Sequence, residues 1–220
     1  MNKFCIILAV FSFSFFLFAQ KTPSKTELLF GFDKTEREIK KNVGSISIEI
    51  KSRMNMSDND FSIISRVNDF IDSVSFENIM IDNVSNDTFI SDGSFKTIAD
   101  KIKMTSNGSS YDLYLYSSNG VFTHNLKHML PDSFMIQREN SVLRIVSLES
   151  AHPLVQMYLD AGTLRLKSFQ FKSYLAIYNV KIASYRNFKD YLSIPDSIEV
   201  FINEERVMVS GISSVKVNYK

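Results

Sequence analysis

Residues 76–96, FENIMIDNVSNDTFISDGSFK, are the stretch that decides the fold class. Residues 76–83 and 88–96 are each rich in β-branched and aromatic side chains, which favour strands. Between them lies DNVSND, residues 82–87, whose Asp, Asn and Ser residues are typical of a turn. The stretch therefore predicts two antiparallel strands that are neighbours in a sheet.

The same pattern continues along the chain. Predicted strands at residues 101–105, 111–116 and 121–125 are separated by Asn107-Gly108 and Asn119-Gly120, and Asn-Gly permits the positive φ angles of tight hairpin turns. After a less regular stretch around Leu130-Pro131, further strands are predicted at residues 142–148, 155–159, 164–171, 174–185, 198–202 and 206–217. About eleven strands with short turns predict one large, strongly twisted meander, because so wide a sheet curls or closes.

Residues 60–74 predict an amphipathic helix over this sheet. Asp58, Asn59 or Asp60 can cap it, and apolar residues follow at three- and four-residue spacing. These residues are Ile63, Ile64, Val67, Phe70, Ile71 and Val74. The predicted fold is thus mainly β with few helices: a single large curved antiparallel sheet, an open half-barrel, covered by an amphipathic helix.

A curled sheet of this kind can be filled in two ways. Its own side chains pack the concave side solid, or they leave a cavity for an apolar guest. The chain has 19 Phe, 9 Met and no Trp, and Met and Phe form adaptable apolar walls. This composition is also compatible with an ordinary core, so both fillings stay open.

The first residues are typical of a secretory signal peptide. Lys3 precedes an apolar run at residues 4–18, and Ala19 stands before the polar Gln20, so we expect cleavage after Ala19. The run is shorter than the roughly 20 residues of a membrane span. Cys5 is the only cysteine and does not lie at the cleavage point, so it is not predicted to be a lipid anchor. The mature chain is expected to be soluble and to work outside the cytoplasm.

Residues 20–60 differ in composition from the rest of the mature chain. Residues 21–41 are polar and rich in charge, with a possible short helix at residues 35–41, and residues 45–53 alternate as one half-buried strand does. We therefore predict a signal peptide at residues 1–19, an N-terminal extension at residues 20–60 and a half-barrel domain at residues 61–220.

Charge and motifs argue against several function classes. Apart from Lys3, Lys and Arg balance Asp and Glu, whereas nucleic-acid binders usually have a basic surface. Neither a Gly-rich phosphate loop nor a Gly-x-Ser-x-Gly elbow occurs. His124 and His128 are four residues apart but follow a predicted strand, so they predict a solvated loop and not a metal site. His152-Pro153 predicts a turn. Neither Asp112 nor Asp196 has a second carboxylate at a sequence spacing that would indicate a catalytic acid pair. We predict no catalytic residue, metal or cofactor.

The order of these parts resembles the LolA-like family of periplasmic lipoprotein carriers. IISRVNDFIDSVSF at residues 63–76 resembles the family's first helix and strand, and residues 93–95 and 101–104 resemble the next two strands. YDLYLYSSNGVFTHN at residues 111–125 is similar to the family's strand, turn and aromatic strand. LDAGTL (159–164) and IPDSIEV (194–200) are similar to a late hairpin and strand. The likeness covers residues 62–218 and implies a half-barrel closed by helices, with an apolar cavity and no enzymatic activity.

The resemblance also implies a function and a site. The cargo would be the acyl chains of lipidated proteins, received from an inner-membrane lipoprotein-releasing complex and passed to an outer-membrane acceptor by a monomeric periplasmic protein. Family carriers often have a latch arginine before the third strand, where this chain has Ile98-Ala99. The residues expected to bind lipid are Phe70, Val74, Phe76, Met80, Phe95, Ile102, Met104, Leu113, Leu115, Phe122, Met135 and Met157. The alternative is a periplasmic sensor or scaffold of the same superfamily that binds a protein partner without lipid.

Overall fold

The computed structural model describes residues 21–56, 59–70, 73–98, 101–104, 126–172 and 176–220. These residues form an α-helix, α1 (Lys25–Asn42), a 3₁₀ turn (Leu126–Met129) and one antiparallel sheet of twelve strands. The strands are β1 (Val43–Met56), β2 (Asn59–Asp69), β3 (Ser73–Asp82), β4 (Thr88–Ile98), β5 (Lys101–Met104), β6 (Phe134–Glu139), β7 (Val142–Ser147), β8 (Leu154–Asp160), β9 (Leu166–Lys172), β10 (Ile177–Lys189), β11 (Leu192–Ile202) and β12 (Glu205–Tyr219).

The sheet consists of two meanders that meet in its middle. Strands β1 to β5 form the N-terminal meander and β6 to β12 form the C-terminal meander. They join where β1 pairs with β12, from Val43 opposite Tyr219 to Met54 opposite Met208. In the described residues β5 and β6 stand at opposite ends of the strand order and do not pair, so the sheet is open. The prediction of a mainly β fold built on one open antiparallel sheet is confirmed.

Register shifts bend the long central strands. The β1–β12 pairing shifts between Glu49 and Ile50, and the β10–β11 pairing shifts between Ile182 and Ser184. An extra residue on one strand of a pair increases the local twist and bends that strand. The bends give the sheet a concave face, and α1 packs on this face.

Helix α1 begins with a capping box. The Glu27 amide donates to Ser24 Oγ, and the Ser24 amide donates to the Glu27 carboxylate, so two amides that a helix start leaves without partners are satisfied. Leu28, Phe32 and Ile39 recur at helical spacing and are buried. The apolar stripe therefore faces the sheet.

Two hydrophobic clusters hold α1 on the sheet. Leu28 and Phe32 join the larger one, which contains Leu126 and Met129 of the 3₁₀ turn together with buried residues of the C-terminal meander. Ile39 joins a smaller cluster formed by β1 and the start of β11. Among the described residues, neither cluster contains a side chain of β2 to β5. The helix thus covers the C-terminal meander and β1.

The helix predicted at residues 60–74 is wrong, because residues 60–69 lie in β2 and residues 73 and 74 begin β3. Phe61, Ile63 and Val67 alternate toward the concave face, a period of two that the helical interpretation overlooks. Ser65 and Asp69 occupy the same face and interrupt the apolar alternation. β-branched side chains and pairing with β1 on one side and β3 on the other stabilise the strand. The covering helix is α1.

The residues predicted as an N-terminal extension are part of the sheet. The helix predicted at residues 35–41 lies within α1, and the strand predicted at residues 45–53 lies within β1. β1 is a central strand that pairs with both β2 and β12, so no structural boundary falls at residue 60. The predicted signal peptide lies outside the described residues. Within the described residues, no helix combines the length and hydropathy of a membrane span.

Other predicted strands largely match the structure. Those at residues 76–83, 88–96, 142–148, 155–159 and 206–217 correspond to β3, β4, β7, β8 and β12. Those at residues 111–116 and 121–125 lie outside the described residues. No strand is predicted where β6 lies, after Leu130-Pro131. β11 begins at Leu192, six residues before the strand predicted at residues 198–202, and it contains Pro195 beside a register shift in the β10–β11 pairing.

Candidate functional site: the concave face of the sheet

Cross-strand pairing identifies the residues on the concave face. Ile48 of β1 pairs with Val67 of β2, and Val67 pairs with Phe76 of β3. Residues directly opposite each other in an antiparallel pair point to the same face of the sheet. Ile48 belongs to the cluster that packs on α1, so the whole row lies on the concave face.

In the C-terminal meander this face is a solid core. Ile145, Met157, Phe169 and Val180 form one cross-strand row over β7 to β10, and each is 0% exposed. Leu28, Phe32 and the 3₁₀ turn belong to the same cluster. Stacking of aromatic rings adds to the packing, with 4.9 Å between the Phe171 and Tyr178 ring centroids. This part of the concavity has no room for a long apolar guest.

In the N-terminal meander the concave face is more open. Ile63 of β2, Met80 of β3 and Phe89 of β4 form another cross-strand row. Ile63 and Met80 are half-buried, and Phe89 is 52% exposed, so exposure increases away from the middle of the sheet. Val74 and Phe76, nearer the other end of these strands, are buried. This row is an apolar surface with solvent access.

Four polar side chains are buried on the concave face near the middle of the sheet. Ser52 of β1 and Ser210 of β12 are both buried, and their hydroxyl oxygens are 2.8 Å apart in a hydrogen bond. Ser65 and Asp69 of β2 are also buried on the concave face. These are separate polar positions on a face that is otherwise apolar at the seam, where Ile48 pairs with Val67 on one side and Val215 on the other.

A cavity of about 90 Å³ lies between α1 and two turns of the C-terminal meander. Burial raises the pKa of Tyr185 at its wall, and the Tyr185 hydroxyl donates to the Leu166 carbonyl. This volume has room for only a few water molecules, so it does not hold an acyl chain. Its lining is Phe32, Thr35, Ile39, Leu126, Thr163, Leu164, Arg165, Tyr185, Asp190, Tyr191 and Ser193.

The structure brings some of the predicted lipid-binding residues together. Val74, Phe76 and Met80 share the concave face of β3. The register places Phe95 of β4 opposite Val74, and Met104 opposite Phe95, so the backbone positions of Phe95, Ile102 and Met104 follow the same face.

Other predicted lipid-binding residues lie elsewhere. Met157 is in the packed core of the C-terminal meander. Met135 is exposed, next to the concave-facing Ile136 on β6, and thus points to the convex face. Phe70, predicted to lie on a helix, follows β2 directly, where its amide donates to the Ser73 carbonyl and its side chain is 55% exposed. Leu113, Leu115 and Phe122 lie outside the described residues.

Sequence reasoning misses Phe61, Ile63 and Phe89 as members of the open concave face. Phe61 and Ile63 fall in the predicted helix, although their period-two spacing with Val67 is a usable signal. Phe89 is opposite Met80 in the β3–β4 pairing, which single-strand alternation does not reveal.

The described residues offer little for catalysis. They contain no group of three or more His, Cys, Asp or Glu side chains placed to hold a metal ion. The Asp196 carboxylate forms an ion pair of 2.6 Å with Arg186. His152 lies in a turn, where its Nδ1 accepts a hydrogen bond from the Leu154 amide and burial lowers its pKa. Asp112 and His124 lie outside the described residues, as does the side chain of His128.

No protein-family model and no curated protein matches the chain. Among solved structures, it is similar to a domain from Vibrio parahaemolyticus that is provisionally described as outer membrane lipoprotein-sorting, with 10% identity and a TM-score of 0.47 over 85% of this chain and 91% of that one. It is also similar to a DUF1329 family protein from Desulfovibrio piger, with 9% identity and a TM-score of 0.44 over 87% and 93%. Both are likenesses of fold, at identities too low to say what this chain binds.

Proposed function

We propose that the protein is a periplasmic carrier that binds the acyl chains of lipidated proteins on the concave face of the N-terminal meander and transports them between membranes. The row Ile63, Met80 and Phe89 carries the proposal, because its apolar side chains become more exposed from strand to strand. Concave apolar surfaces of this kind are where flexible apolar guests bury their own surface.

The energy of binding follows from the hydrophobic effect. Each methylene removed from water contributes about 0.8 kcal/mol, so about ten buried methylenes supply roughly 8 kcal/mol before the entropic costs of binding. Met80 and Phe89 suit such a guest, since Met adapts its shape and Phe offers a large apolar area. Direction of transport then requires only an acceptor of higher affinity.

The proposed binding wall combines described and predicted residues. Phe61, Ile63, Val74, Phe76, Met80 and Phe89 form its described part. Phe95, Ile102 and Met104 extend it by register, and Leu113, Leu115 and Phe122 remain predicted members. The proposed wall does not include Met157, which is buried in the core of the C-terminal meander. It also does not include Met135, which is exposed on the convex face, or Phe70, which is exposed after the end of β2.

The proposed partners follow from the family resemblance of the sequence. An inner-membrane lipoprotein-releasing complex would load the carrier, and an outer-membrane acceptor would unload it. The carrier itself would act as a monomer, without catalysis or a cofactor.

Titration with a fluorescent long-chain fatty acid, followed by competition with a triacylated lipoprotein, tests the proposal. Met80→Asp should weaken binding at least about tenfold while the protein stays folded, because a half-exposed carboxylate remains hydrated. Ile79→Asp is the matched control, since Ile79 precedes Met80 on β3 and points to the convex face. A folded wild-type protein that binds neither ligand, or equal losses in the two variants, would contradict the proposal.

A protein-binding scaffold is the second candidate, favoured by one feature of the convex face. Ile64, Ile79 and Ile90 form a cross-strand row on this face, and Ile90 is 69% exposed. If the protein is a scaffold, Ile90→Lys would abolish binding of a protein partner and leave fatty-acid binding unchanged. If it is a carrier without such a partner, Ile90→Lys would change neither partner binding nor fatty-acid binding.

A further inference from the structure

The topology gathers lysines and exposed aromatic side chains at one end of the sheet. The last turn of α1 leads into β1, whose first residue, Val43, pairs with Tyr219 near the end of β12. The Lys220 amide donates to the Asn42 carbonyl at 3.0 Å, and Lys220 Nζ donates to the Lys40 carbonyl at 2.6 Å. These contacts fix the end of β12 beside the end of the helix.

The β10–β11 turn brings another lysine to the same place. Lys189 Nζ lies 5.7 Å from the centre of the Tyr219 ring. Together Lys40, Lys41, Lys189, Lys220 and Tyr219 form what we name the basic end. Lys40 and Lys41 complement the helix dipole, and Lys40 pairs with Glu36. Lys220, directly after β12, also satisfies a carbonyl of the last helical turn, whereas Lys189 at the end of β10 has no contact with the helix among those described here.

The opposite end of the sheet carries several carboxylates. The β3–β4 turn begins at Asp82 and ends at Asp87, and the β11–β12 turn contains Glu204 and Glu205. Asp132 lies at this end as well, just before β6, and is exposed. Cations also lie at this opposite end, since Lys25 Nζ donates to the Asp132 carbonyl and Lys172 Nζ donates to the Ser150 carbonyl, and Asp190 lies next to Lys189 at the basic end. What distinguishes the basic end is its local group of lysines, and such a group is attracted to an anionic surface.

Two aromatic side chains extend the basic end with apolar surface. Tyr219 is 46% exposed. Phe70, directly after β2, is 55% exposed and lies near the start of β1, because its neighbour Asp69 pairs with Ile46. Two strand spacings separate β2 from β12, so Phe70 and Tyr219 are on the order of 10 Å apart. Aromatic side chains next to cations are typical of protein surfaces at the lipid headgroup level.

We propose that the basic end docks on an anionic phospholipid bilayer. Lys41, Lys189 and Lys220 contact headgroup phosphates, and Phe70 and Tyr219 enter the headgroup layer. Val74 of β3 pairs with Asp69 at this end of the sheet, so docking holds the N-terminal meander against the membrane. This inference concerns the membrane itself and does not depend on the cargo.

Sedimentation with vesicles of phosphatidylcholine alone, or with about one third phosphatidylglycerol, tests the proposal. We expect binding to the anionic vesicles that falls as salt increases, because each lysine contributes about fivefold to affinity at an anionic surface. The triple variant Lys41→Glu/Lys189→Glu/Lys220→Glu should bind at least about tenfold more weakly. The control Lys51→Glu/Lys172→Glu/Lys181→Glu, with the same charge change away from the basic end, should stay within about twofold.

A second variant separates docking from loss of fold. Phe70→Ser/Tyr219→Ser keeps every charge and should weaken binding to anionic vesicles about fivefold or more, with an unchanged melting temperature. In the absence of vesicles, the fatty-acid affinity of all these variants should equal that of the wild type, which distinguishes docking from cargo binding. Equal binding to both vesicle types, or equal losses in the two triple variants, would overturn the proposal. The proposal would also be overturned if the triple variant of the basic end bound vesicles as the wild type does but no longer bound an acidic protein partner.

Discussion

The two meanders place similar strands in different surroundings. In the C-terminal meander, Met157 and Phe169 lie in a concave row without solvent access, beneath α1 and the 3₁₀ turn. In the N-terminal meander, Met80 and Phe89 lie in a concave row with increasing solvent access. The alternation of apolar residues is the same in the two meanders. Whether these residues form core or a candidate binding surface therefore depends on whether a helix covers them.

The largest expected difference concerns two methionines on the same face. Met157→Asp places a carboxylate in a fully buried row and should cost about 3–5 kcal/mol of unfolding free energy, enough to unfold a marginally stable chain. Met80→Asp should cost about 1 kcal/mol or less, because its carboxylate reaches water. Denaturant unfolding of the two variants checks the comparison. Equal destabilisation would mean that both halves of the face are solid core.

A smaller effect is expected at the seam between the meanders. Ser52→Ala leaves the buried Ser210 hydroxyl without its 2.8 Å partner and should cost about 1–3 kcal/mol. Ser52→Ala/Ser210→Ala removes both hydroxyls and should cost less than the sum of the single variants. A double-mutant cycle measures this coupling, and additive effects would show that the serine pair does not stabilise the junction.

The smallest effect concerns one turn in each meander. Glu204 has a φ of 70° in the β11–β12 turn, and Asn86 has a φ of 62° in the β3–β4 turn. Glycine adopts this conformation without strain, whereas glutamate does so less readily than asparagine. Glu204→Gly should raise the unfolding free energy by about 0.5–1 kcal/mol, and Asn86→Gly should leave it nearly unchanged. The reverse order in thermal unfolding would show that the glutamate is not strained.

The sequence predicts the sheet better than the covering helix, for a physical reason. The hairpin of β3 and β4 follows from its own residues, since strand-forming runs flank the turn at residues 82–87. Residues 60–74 satisfy helical and strand periodicity at once, and only pairing with β1 and β3 decides between them. The central position of β1 depends on β12, which lies at the far end of the chain and which no local pattern reports.

The candidate site shows the same limit. Phe76 and Met80, which the family resemblance implies as lipid-binding residues, share the concave face of β3. Met157 has the same residue type and the same alternation, yet it lies in the core because Leu28 and Phe32 of α1 join its cluster. Periodicity predicts which side chains share a face. It does not predict which part of that face a distant helix covers.

The central claim is that lipid binds the concave face of the N-terminal meander, and photo-crosslinking tests it most directly. A long-chain fatty acid with a diazirine near its methyl end would be bound to the wild-type protein, irradiated, and located by peptide mass spectrometry. We predict crosslinks in residues 59–98, with Met80 and Phe89 among the labelled sites, and their loss on competition with a triacylated lipoprotein. Crosslinks concentrated in residues 142–171, or label spread evenly and insensitive to competition, would contradict the claim.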